Sequence, residues 1–211
     1  MYTWGNYMKQ ILQQRQIDTL YHFTQAENLQ NIFKHGLLPR NILEKNSIPS
    51  HFNDEYRYDN CIDAVCMSIE FPNYKMFYKL RQEDPSVDWV VLKLNAQILC
   101  DYSCAYCWTN AGDTSMYNTP LEERMGTAAF LELFEDRPLF PKRNALNIPD
   151  WFPTNPQAEV LVFGSISINY IENVYFENYN SLFKHKNIIP TGISYKIKTE
   201  VFKYRKDWSF W

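Results

Sequence analysis

A histidine that closes a short apolar run (His22 in LYHFT), an arginine inside a long polar stretch (Arg57) and a glutamate that opens an apolar one (Glu159 in NPQAEVLVFGS) are the residues of this sequence best placed to do chemistry. Each has a structural alternative. A strand histidine is more often a hydrogen-bonding part of the fold than a catalyst, and Arg57 has salt-bridge partners close by in Asp54, Glu55 and Asp59. Glu159 is the more telling, because a carboxylate beside Val160, Leu161, Val162 and Phe163 is expensive to bury unless it has a partner or a task.

Five cysteines, Cys61, Cys66, Cys100, Cys104 and Cys107, form an odd set in a chain that opens without an export signal, which points to reduced thiols. CDYSCAYC has the C-x3-C-x2-C spacing with which three thiolates ligate an iron-sulfur cluster. A zinc site would recruit Cys61 or Cys66 as a fourth ligand. The mid-chain position leaves only about half of the protein to build the barrel that such a cluster loop precedes, so buried thiols are expected and no metal is.

Composition sets the class of molecule. With 45% hydrophobic and 17% aromatic residues among 211, the chain can bury a large core, which excludes an intrinsically disordered polypeptide. Its 21 Lys+Arg against 24 Asp+Glu leave a net charge of -3, so a nucleic-acid partner must be held by a local basic patch rather than by a global field. No apolar run is long enough to cross a membrane and MYTWGNYMKQ lacks a secretory leader, so a cytoplasmic protein with no membrane partner is expected.

Periodicity indicates the elements that must position these residues. Met8, Ile11 and Leu12 predict a helix over residues 2–16. Leu20 to Phe23 predict a short strand, then a helix from Thr24 with Ala26, Leu29, Ile32 and Phe33 on one face, Thr24 and Glu27 as a capping box and Gly36 as its stop. Residues 40–60 are polar, broken by Pro49, and read as a long loop. AVCMSIEF and WVVLKLN read as strands on either side of a short helix in PNYKMFYKLRQ. The cysteine segment reads as a loop, LEERMGTAAFLELF as one helix, and AEVLVFGSISINYIENVYF as two strands around Gly164. The alternating tail reads as a strand with Lys196, Lys198, Lys203, Arg205 and Lys206 on one side. Short helices between strands without regular alternation give an α+β class with mostly antiparallel pairing. The glycine-rich fingerprints of dinucleotide-binding and P-loop folds are missing.

LYHFTQAENLQNIFKHGLLPRN resembles the opening of the DarT-type ADP-ribosyltransferases, and PQAEVLVFGSISINYI resembles the strand of that family that carries its catalytic glutamate. CWTNAGDTS lies where the family has a loop over the substrate cleft, and YRKDWSFW is similar to its C-terminal ending. The resemblance implies an ADP-ribosyltransferase-like fold, with mixed, mostly antiparallel central sheets and short peripheral helices, occupying residues 1–211 as one domain with 1–18 as a helical extension. It implies NAD as co-substrate, with His22, Phe23, Thr24 and Asn31 lining its pocket. Arg57 would grip NAD and assist proton removal, while Glu159 would stabilise an oxocarbenium-like ribose and orient the attacking base. It also implies a toxin of toxin-antitoxin or antiphage systems that modifies a nucleobase of single-stranded DNA or, as in the related CmdT-like branch, of mRNA, together with a cognate antitoxin protein. A protein acceptor, or a non-catalytic nucleic-acid-binding module, is the competing reading.

CMSIEFPNYKMFYK stands where DNA-modifying members carry [FY]-x-F-x-P-R-S-P-M-L-Y, which leaves the choice between DNA and RNA open. Aromatic and basic residues interleave in FPNYKMFYKLR and in YKIKTEVFKYRKDWSFW, the pairing of a single-strand groove in which bases stack and phosphates meet lysines. Core aromatics and solvated lysines produce the same pattern.

Overall fold

The computed structural model describes residues 4–53 and 57–211. Seven strands form one sheet: β1 (Thr19–Gln25), β2 (Ala64–Ile69), β3 (Trp89–Asn95), β4 (Cys104–Cys107), β5 (Glu159–Phe163), β6 (Ile171–Phe176) and β7 (Ser194–Ile197). Their order is β4-β5-β2-β1-β3-β6-β7, antiparallel throughout except for β6 with β7. Around it lie short helices: α1 (Trp4–Arg15), α2 (Leu29–His35), α3 (Arg40–Lys45), α4 (Tyr74–Glu83), α5 (Ile98–Asp101), α6 (Thr114–Tyr117), α7 (Gly126–Glu132), α8 (Arg143–Leu146) and α9 (Tyr179–His185). The α+β class and the mostly antiparallel pairing are as the sequence implies.

Both faces of the sheet are covered, so the central strands are continuous apolar runs rather than alternating ones. Val90, Leu92 and Val174 join Met8, Ile11 and Leu12 of α1 and Leu29 and Ile32 of α2 in the main core. Tyr21, Phe23, Trp89, Val91 and Tyr175 face the other way, against Phe77 of α4 and Phe202 of the tail.

The sheet is split at its middle. β1 and β2 pair only at Leu20 with Ile69 and Tyr21 with Ser68. Beyond that point β1 stays on β3 as far as Gln25, while β2 stays on β5 as far as Ala64. The two halves diverge, and a cleft opens between them.

Several elements differ from the sequence reading. Thr24 does not cap a helix: it pairs with Val90 inside β1, and a single 3-10 turn at Ala26–Asn28 precedes α2. The stop at Gly36 does form, at φ 87°, with its N–H on the Ile32 carbonyl. The 40–60 stretch contains α3, and the part at 54–56 lies outside the described residues. The cysteine segment is α5 and β4 rather than a loop, because Cys104, Ala105 and Cys107 are small enough to pack as a buried edge beside β5. The helix expected over 121–134 breaks where extended Met125 bridges Ala105 and Gly126 takes φ 83°, leaving a 3-10 turn and α7. The two strands read around Gly164 do form, β5 lying on β2 and β4 and β6 on β3 and β7. The tail strand ends at Ile197, and Arg205 turns inward to a buried pair with Asp207.

Candidate active site

His22, Phe23, Thr24, Asn31, Arg57 and Glu159 line a single cleft at the split of the sheet. His22 spans the opening: its Nδ1 lies 2.9 Å from the Cys66 carbonyl of β2. A carbonyl oxygen only accepts, so Nδ1 carries the proton and Nε2 keeps its lone pair. Burial pulls the His22 pKa below its ordinary value, which holds the ring neutral.

Phe23 contributes backbone, not side chain. Its ring stacks on Phe77 at 4.5 Å in the second core. Its carbonyl accepts from Asn53 Nδ2 at 2.6 Å, on the side where β2 has left. Since the N–H and C=O of one residue in an antiparallel strand point the same way, the Phe23 N–H also faces the cleft. The segment before residue 54 is stitched over this edge: Asn31 donates to the Pro49 carbonyl at 2.7 Å, and Asn28 both donates to and accepts from the His51 backbone at 2.8 Å. Asn28 also donates to Thr24 Oγ1 at 2.8 Å.

Glu159 opens β5 opposite Cys107 of β4 and is 7% exposed. Its Oε2 accepts from the Ala111 N–H at 2.8 Å, and its Oε1 from Asn73 Nδ2 at 3.2 Å and Asn110 Nδ2 at 3.3 Å. Burial raises its pKa to about 7, helped by nearby Asp59 and opposed by the donors and by Arg57. Asn73 performs two tasks, because its Oδ1 also caps α4 by accepting from the Met76 N–H.

Arg57 forms a bidentate pair with Asp59, Nε to Oδ1 and Nη2 to Oδ2, each at 2.9 Å. It also donates to the carbonyls of Ala64 and Cys61. The structural alternative for Arg57 is therefore realised together with its place in the cleft wall. Asn73, Asn110, Ala111 and Asp59 escaped the sequence reading as site residues. The loop CWTNAGDTS had been placed over the cleft, but its hold on Glu159 joins residues far apart in the chain, and no local pattern reports it.

The cleft leaves polar groups for a ligand to meet. Asn53, which lines the cleft, keeps a buried Oδ1 without a hydrogen-bond partner, and the Phe23 N–H has no ladder strand opposite it. Among the described residues, no group of three His, Cys, Asp or Glu is placed to hold a metal ion. None of their helices is long and apolar enough to cross a membrane.

The split sheet thus sets a donor-clamped glutamate in the wall of the cleft. Residues 21–210 match the family model described as DarT, ssDNA thymidine ADP-ribosyltransferase, and the chain belongs to that family. Among solved structures it is similar to Thermosipho africanus DarTG in complex with ADP-ribose (15% identity, TM-score 0.61), covering 87% of this chain but 50% of that one. It is also similar to Thermus sp. 2.9 DarT in complex with NAD+ (15% identity, TM-score 0.55, 88% of this chain and 97% of that one). The same Thermus protein in complex with ADP-ribosylated ssDNA matches at 16% identity and TM-score 0.58, over 88% of this chain and 96% of that one. No curated protein sequence matches the chain.

Proposed function

We propose that this protein transfers ADP-ribose from NAD to a base of single-stranded DNA, with Glu159 and Arg57 as its catalytic residues. The observation that carries the reading is Glu159, buried at the split and fixed by Ala111, Asn73 and Asn110 in the cleft that also holds His22 and Arg57. Cleaving the glycosidic bond sends its electron pair to nicotinamide and leaves positive charge at the ribose C1′, which a carboxylate in a cleft shielded from water stabilises. The acceptor base supplies the new bond and sheds a proton. A carboxyl group titrating near 7 is suited to take that proton. His22, the Phe23 backbone, Thr24 and Asn31 form the wall that would hold NAD. Arg57 would reach a diphosphate by exchanging the Asp59 carboxylate for phosphate oxygens of the same bidentate geometry.

Family membership and the solved Thermus complexes support DNA over mRNA as acceptor. We further read the chain as a cytoplasmic toxin held by a cognate antitoxin, supported by its match to half of the Thermosipho DarTG chain. We read residues 1–211 as one domain, supported by the burial of Met8, Ile11 and Leu12 of the 1–18 extension in the main core.

The test is incubation with labelled NAD and, separately, single-stranded DNA, single-stranded RNA, duplex DNA and extract protein, with Glu159→Gln as the blank. Label on single-stranded DNA that vanishes in the variant is the expected result. Label confined to RNA or to protein would replace the acceptor, and label that persists in a folded Glu159→Gln would overturn the catalytic assignment.

A further inference from the structure

Aromatic residues of the two lysine-interleaved segments, together with Trp108 and Phe140 from elsewhere in the chain, form two ring groups. Trp108 lies 5.4 Å from Phe140, and Phe140 stacks at 6.1 Å on Trp211. Trp211 is pinned by its Nε1, which donates to Asp207 at 3.0 Å, and by its N–H on the Trp208 carbonyl. A second group, joined to the first through that backbone turn, runs from Trp208 at 5.5 Å to Tyr204 and at another 5.5 Å to Tyr78 of α4. Trp108, two residues before Asn110, lines a second hollow with Glu132, Glu135, Phe140 and Trp211 rather than the cleft itself. The second group is the one that leads to the cleft, because it ends on α4, whose cap, Asn73, donates to Glu159 and whose Met76 lines the cleft.

Trp108 packs partly buried against the core, but four of these rings do not. Tyr78 is 42%, Phe140 40%, Tyr204 47% and Trp208 56% exposed, a costly arrangement for a surface with no use. Lysines flank them: Lys75 Nζ donates to the Trp211 carbonyl at 3.2 Å, and Lys79, Lys203 and Lys206 are exposed on the same two segments. Nor is the tail loose. Arg205 and Asp207, at most 2% exposed, pair at 2.5 Å, and the guanidinium also donates to the carbonyls of Pro153 and Thr154. This aromatic surface is thus organised before any ligand arrives, which reduces the ordering cost of binding.

We infer that this surface is a stacking platform for the nucleotides that flank the acceptor base on the same DNA single strand. The inference rests on the DNA reading of the active site and extends its binding surface beyond the cleft. Rings with accessible faces would take successive bases without regard to sequence, and the lysines would meet the phosphates between them. Such a local patch is what a chain of net charge -3 needs in order to hold a polyanion.

The test compares a short oligonucleotide, holding the acceptor base and one neighbour on each side, with one extended by about ten nucleotides on both sides. Transfer to each is measured as kcat/KM, and binding of the long one is measured separately, without NAD, by fluorescence anisotropy. Wild type should prefer the long oligonucleotide by roughly tenfold or more, from stacking energies of this kind. Tyr204→Leu with Trp208→Leu should abolish that preference, whereas Tyr204→Phe with Trp208→Phe, which keeps the rings, should retain it. A preference undiminished in the folded leucine variant overturns the platform, as does a wild type with no preference. If no DNA is labelled, but the leucine variant loses anisotropy binding that the phenylalanine variant keeps, the platform stands and the acceptor assignment falls. If the leucine substitutions instead dissociate an oligomer of the wild type, the face belongs to a second copy and the inference is wrong.

Discussion

Glu159 keeps its proton up to about pH 7 because the cost of burying its charge exceeds what three hydrogen-bond donors return. If the ionised form does the work, the transfer rate at saturating substrates should rise with pH through about 7 and then level off, and a profile flat from pH 5 to 9 would contradict this. Stability should move the opposite way. A carboxyl whose folded pKa lies above its unfolded value of 4.5 stabilises the fold fully below that value and loses its contribution as pH rises to about 7. Glu159→Gln, which has no such proton to lose, should therefore gain stability relative to wild type between pH 5 and pH 8, by on the order of 3 kcal/mol, read as a widening difference in melting temperature. Asn73→Ala removes a donor from the carboxylate, so the rising limb of its pH profile should sit at higher pH than that of wild type. His22 and Glu159 could be singled out in the sequence because each lies in a patterned segment, and Arg57 as the arginine of a long polar stretch; the structure brings the three to one cleft. Asn73 and Asn110 could not be singled out, since they lie 86 and 49 residues from Glu159 and only folding makes them neighbours.

Gly36 shows how an element boundary can be read correctly while its purpose stays hidden. The sequence marks it as a helix stop, but the structure shows a second demand, because a Cβ there would meet the Ile166 carbonyl oxygen at 2.4 Å. That close approach lets Leu37 bridge Ile166 and ties the end of α2 to the chain leaving β5. Gly36→Ala should cost about 1–3 kcal/mol in chemical denaturation. Gly192→Ala, at φ 101° with nothing within 4 Å of its Cβ, should cost only about 1 kcal/mol, and equal losses would deny the role of the contact. Strands with long apolar runs, such as β3, declared themselves. Thr24 and the tail misled for opposite reasons. A capping pattern lost to pairing along β3, and an alternating pattern lost to the pull of Arg205 toward a buried partner.

The molecule is closed by its tail. Arg205→Ala would leave Asp207 buried without its counter-charge and release the carbonyls of Pro153 and Thr154, so a loss of about 3–5 kcal/mol is expected in thermal or urea unfolding. Wild-type stability in that variant would mean that the tail merely rests on the surface. No sequence pattern announces this closure, because its partners stand some fifty residues apart. The split between β1 and β2 has an equally global effect, since it interrupts the sheet where a continuous ladder would otherwise run. The Phe23 amide sits at that interruption, in a strand whose other edge is paired along its whole length. In deuterated buffer it should therefore label well ahead of His22 and Thr24, whose amides face β3, and slow sharply once the cleft is occupied, a backbone clock by which occupancy can be followed with no turnover at all.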